Sequence, residues 1–101
     1  MVNFTLRISN ELNNELEHIS NYANVSKSSL INLAIARYIA SPEILETSQE
    51  KIRVTLRISE TLNELLEIRL SQLSISKNML INSLVKKFID DFEYIAPTQL
   101  V

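Results

Sequence analysis

The chain has no cysteine, no glycine and no tryptophan, and only two prolines and one histidine in 101 residues. Without cysteine there are no disulfides, no thiol catalysis and no thiolate metal sites. Without glycine there is no glycine-rich phosphate loop, and tight turns fall to residues that tolerate them less well. His18 has no cluster of acids or cysteines to join, so it is expected on the surface, with no metal. With no convergent carboxylates either, nothing is present to activate a nucleophile, so an enzyme is not expected. Neither a cofactor nor a small-molecule substrate is implied. No apolar run approaches the roughly 20 residues of a membrane-spanning helix. The opening MVNFTLRIS has no signal-peptide pattern, and the cytoplasm is the expected compartment.

What is present is a 46% hydrophobic chain, enough for one small domain with a real core. Twelve acidic residues against ten Lys and Arg give a net charge of −2. On average that argues against nucleic acid, but the charge is segregated. Glu11, Glu15, Glu17, Glu60, Glu64 and Glu67 follow two basic segments. Glu43, Glu46 and Glu50 lie mid-chain, and Asp90, Asp91 and Glu93 near the end. Arg7, Lys27, Lys51, Arg53, Arg57 and Lys77 occupy stretches that hold no acid. Distribution, not total charge, sets an electrostatic footprint.

The string TLRIS stands at Thr5–Ser9 and again at Thr55–Ser59. A shift of fifty residues aligns Phe4–Ile39 with Val54–Ile89 without a gap, and 15 of the 36 pairs are identical. The chain is a tandem duplication. Residues 1–40 form the first repeat, 41–50 a linker with Pro42 and three acids, 51–92 the second repeat and 93–101 a tail. The tail has no clear periodicity, and a mobile end is expected.

Each repeat has three parts. In NFTLRIS and RVTLRIS, Phe4, Leu6, Ile8 and Val54, Leu56, Ile58 alternate with polar residues, the pattern of a half-buried strand. Ser9 and Ser59 cap a first helix, with stripes Leu12–Leu16–Ile19–Ala23 and Leu62–Leu66–Leu70–Leu73. Asn24 and Ser74 stand where that helix must end and the chain turn; Asn accepts a left-handed conformation better than Ser. Ser26 and Ser76 cap a second helix with a wide apolar arc, from Leu30 to Ile39 and Leu80 to Ile89. One strand and two helices cannot close a core. Two copies can, if the strands pair antiparallel over four helices. The expected fold is mainly α, with a small two-stranded antiparallel β-ribbon and two repeats related by a pseudo-two-fold axis.

These strands, with the second-helix starts VSKSSLIN and ISKNMLIN, resemble the ribbon-helix-helix repressors of the MetJ/Arc superfamily. The resemblance spans Asn3–Ala40 and Arg53–Asp90 and implies a single-chain version of a fold usually made by two chains. It implies base contacts from Asn3, Thr5, Arg7, Arg53, Thr55 and Arg57. It also implies phosphate contacts from Ser26, Lys27 and Ser28 and from Ser76, Lys77 and Asn78. The family commonly has glycine before the second helix, where Asn24 and Ser74 stand here. The implied partner is double-stranded DNA carrying an imperfect inverted repeat, and the implied role is a transcriptional regulator, as a repressor. An antitoxin and a plasmid-maintenance or DNA-processing accessory protein are the alternatives. Arg69 replaces Ile19 inside an apolar arc and is expected to snorkel or to meet a carboxylate. Ile68 and Leu70, replacing His18 and Ser20, point to deeper packing or to self-association on DNA.

Overall fold

The alternating segments become strands. The structure, a computed structural model, describes residues 1–47 and 52–100, and for 93–100 the backbone alone. Linker residues 48–50, Lys51 and Val101 lie outside the described residues. Element order is β1 (Val2–Ile8), α1 (Asn10–Ala23), α2 (Lys27–Tyr38), β2 (Ile52–Ile58), α3 (Glu60–Ser71) and α4 (Lys77–Leu100). The strands form one two-stranded antiparallel sheet, with Thr5 opposite Thr55, Arg7 opposite Arg53 and Asn3 opposite Arg57. Leu6, Ile8, Leu56 and Ile58 are fully buried against the helices. Burying such a side chain is worth about 1.5–3 kcal/mol, and a one-residue slip would turn all of them to solvent. That fixes which face of each strand meets the core.

Serine side chains start all four helices. Ser9, Ser26 and Ser59 accept from the backbone N–H of Leu12, Ser29 and Leu62, and Ser76 from that of Met79 at 3.1 Å. Leu16, Ile19, Ile31, Ile35, Leu66, Ile81, Leu84 and Val85 join the strand residues in a single core. Ala23, expected at the end of the α1 stripe, is the last residue of the helix and is exposed. With a radius of gyration of 13.1 Å, the chain is as compact as a globular domain of about 100 residues.

The two inter-helix turns differ. Asn24 is left-handed at φ 56°, and its N–H and that of Val25 both reach the Ser20 carbonyl. Ser74 has no such conformation. Instead α3 stops early, with Gln72 N–H donating to Arg69 O at 3.0 Å and Leu73 N–H to Leu70 O at 3.2 Å. A Cβ penalises the left-handed region, and serine relieves that less well than asparagine. The segment read as linker packs on α4: Leu45 N–H donates to Ser83 Oγ at 2.9 Å, Lys87 Nζ donates to Ser41 Oγ, and Ile44 lies on the core. At its C-terminal end α4 does not stop at Phe92 but continues to Leu100, through the segment read as a tail without periodicity. No helix among the described residues is long and apolar enough to cross a membrane.

Candidate nucleic-acid interface

The six residues expected to touch bases share one surface. Asn3, Thr5 and Arg7 on β1 and Arg53, Thr55 and Arg57 on β2 are all exposed, on the sheet face away from the core. No acidic residue lies among them. Among the described residues, the guanidinium groups of Arg7, Arg53 and Arg57 have no ion pair or hydrogen bond. Arg7 and Arg53 stand directly opposite each other. Like charges in that position destabilise a ribbon by some tenths of a kcal/mol, up to about 1.

The backbone beneath these arginines is held from the side. Asn78 accepts from Arg7 N–H at 2.7 Å and donates to Arg7 O at 3.0 Å, and Asn82 adds a second donor to Arg7 O at 2.8 Å. On the other strand Ser28 Oγ accepts from Arg57 N–H at 3.3 Å and Asn32 donates to Arg57 O at 2.8 Å. Asn32 also accepts from Ser59 N–H at 3.2 Å. Thus α4 pins β1 and α2 pins β2, each helix holding the strand from the other half of the chain. The bonds satisfy main-chain groups on the ribbon's open edges and fix where each arginine leaves the surface.

The N-termini of α2 and α4 therefore flank the ribbon. At one end, Thr5, Arg7, Arg53, Ser76 and Asn78 line an open, largely polar concavity of about 480 Å³. Ser76 is exposed there, and Ser26 is exposed at the start of α2, near Arg57 at the opposite end. Lys27 and Lys77, expected to contact phosphate, also make contacts within the chain. Lys27 Nζ donates to Asn13 Oδ1 at 3.0 Å and meets Glu17 Oε1 at 3.3 Å. Lys77 Nζ repeats this with Asn63 and, at 3.0 Å, Glu67, and also sits 5.3 Å from the centre of the Phe4 ring. Each amine is turned back onto the preceding helix, so much of its charge is offset. Ser28 and Asn78 likewise spend their side chains on the strands. What these segments offer outward is mainly backbone N–H.

Sequence reasoning passed over Asn13, Asn32, Asn63 and Asn82 as functional residues. The signal was available: both asparagine pairs are identical between repeats, and Asn32 and Asn82 interrupt an apolar helix arc. A polar residue at a buried position needs partners, and Asn82 is fully buried.

The rest of the molecule differs in character. Two further concavities mix acids with a lysine: Glu11, Glu15, Asp90 and Lys86 in one, Glu43, Asp90, Asp91 and Lys87 in another. In the latter the Tyr38 phenol donates to Asp91, and burial, then this bond, raise its pKa above 10.0. Tyr38 closes α2, roughly 17 Å along the helix from Lys27 by the rise per residue. Arg69 meets no carboxylate among the described residues. Its guanidinium donates to Ser41 O at 3.1 Å and Gln72 Oε1 at 3.2 Å. Ile68 is exposed, while Leu70 packs on the core. His18 is exposed, and no metal-holding cluster of His, Cys, Asp and Glu occurs among the described residues. No family model, curated protein or solved structure matches the chain.

Proposed function

We propose that the chain is a sequence-specific double-stranded DNA-binding regulator, a repressor, built as two ribbon-helix-helix repeats in one chain around a pseudo-two-fold axis. The observation that carries this is the ribbon face: exposed, free of acids, and holding three unpartnered arginines, two of them facing each other. A ribbon serving only as a lid on the core gains nothing from an Arg7–Arg53 pair. A polyanion compensates it.

The chemistry suits B-DNA. A two-stranded ribbon fits a major groove about 12 Å wide, where Arg recognises guanine, Asn adenine, and Thr either a polar edge or the thymine methyl. Helix N-termini beside the ribbon favour phosphate through their free N–H groups. The gapless repeat and the Thr5–Thr55 register support the two-fold reading. As a repressor, the protein would act by occupying an operator.

Footprinting on the DNA flanking its own coding sequence tests this. A protected site, with binding blocked by methylation of guanine N7 in the major groove, is the expected outcome. Uniform weak protection without interference would overturn it.

A further inference from the structure

We infer that the two ends of the ribbon read different base pairs, so that the preferred duplex is an inverted repeat broken at one equivalent position in each half. Guanine lies under Arg53 and adenine under Asn3. This rests on the DNA-binding reading above and adds an orientation to it.

The repeats agree at Thr5/Thr55 and Arg7/Arg57 and differ at Asn3/Arg53. Because the strands are antiparallel, the differing residues lie at opposite ends. Arg53 faces Arg7, and Asn3 faces Arg57. One end thus presents two guanidinium groups and the other presents one, beside a neutral amide. All four side chains are exposed.

The surroundings of the ends differ in the same sense. At the two-arginine end, Arg7, Arg53 and Thr5 share the concavity with Ser76 and Asn78 of α4, and Asn78 brackets both the N–H and the C=O of Arg7. At the other end the two groups are held by separate side chains, the N–H of Arg57 by Ser28 at 3.3 Å and its C=O by Asn32 at 2.8 Å. The two-arginine end is therefore the more cationic. Two identical chains would impose the same reading on both half-sites. A single chain carrying both strands is free of that restriction.

The chemistry then assigns the bases. Arg forms two bonds to guanine O6 and N7, and Asn forms two to adenine N6 and N7. Replacing one by the other changes preference at one base pair by about 5- to 150-fold.

Selection of sites from random duplex DNA by the wild type, Arg53→Asn and Asn3→Arg decides the matter. Both positions are solvent-exposed, and the two exchanges are reciprocal, so a folding defect in one leaves the other informative. The wild type should recover an imperfect inverted repeat. Arg53→Asn should make both halves adenine-type, and Asn3→Arg should make both guanine-type. One perfect palindrome from all three proteins overturns this inference and leaves DNA reading intact. No enriched sequence from any of them overturns both.

Discussion

Lys27 and Lys77 stand at the helix starts where a phosphate-binding cation is expected, yet each amine is satisfied by an asparagine and a glutamate of its own repeat. The three members of this contact, Asn13/Asn63, Glu17/Glu67 and Lys27/Lys77, are all identical between the repeats. The identity that suggests a clamp on DNA thus has a structural cause as well. The lysine side chains are 28% and 18% exposed, the glutamates 54% and 59%. Screening therefore keeps the ion pairs weak, and the hydrogen bond to asparagine carries most of the effect. Lys27→Ala should lower stability in urea by about 0.5–1.5 kcal/mol and change DNA affinity only a few-fold. A loss of affinity alone, with stability unchanged, would show that the amine serves phosphate after all.

At the scale of elements, the two halves solve the same turn by different means, and the difference follows from one residue. Asn24 takes the left-handed position that Ser74 does not, so α1 runs to Ala23 while α3 ends at Ser71. Asn24→Ala should cost about 1–2 kcal/mol by thermal or urea melting, and Asn24→Gly should be neutral or stabilising. Ser74→Ala should do little, and an equal loss at both positions would contradict the account. The same comparison shows what the sequence makes legible. Strict alternation from Phe4 to Ile8 and Val54 to Ile58 is enough to mark the strands and their facing residues, because only one phase buries the apolar set; the Thr5–Thr55 register needs the symmetry of the repeat as well. Apolar stripes likewise mark the four helices. The packing of Ser41–Leu45 on α4 escapes periodicity, since it depends on single polar contacts to Ser83 and Lys87. The extension of α4 to Leu100 escapes it too, because a stripe is the only sign by which periodicity finds a helix. The strand face was legible as a set; the turning back of the lysines was not, because nothing local in VSKSSL says which way a long flexible side chain goes.

The whole molecule is acidic, with pI near 5.4, yet its ribbon face carries arginine and no acid. On the proposed function, attraction to DNA is short-ranged and confined to that face, with repulsion elsewhere. Binding should weaken steeply with salt, with a log–log slope of magnitude about 3–6 if the arginines and helix starts meet several phosphates. Because the lysine charges are offset internally, the lower part of that range is expected. A slope near zero would count against DNA as the ligand. On the proposed function, the three arginines of the ribbon carry recognition rather than cap the core. The most direct test is the dissociation constant of Arg7→Ala/Arg53→Ala/Arg57→Ala beside that of the wild type, on one selected duplex at fixed salt. The account predicts a loss of at least about 100-fold, with a melting temperature unchanged or raised because the Arg7–Arg53 repulsion is gone. Affinities within about threefold of each other, in two equally folded proteins, would contradict it.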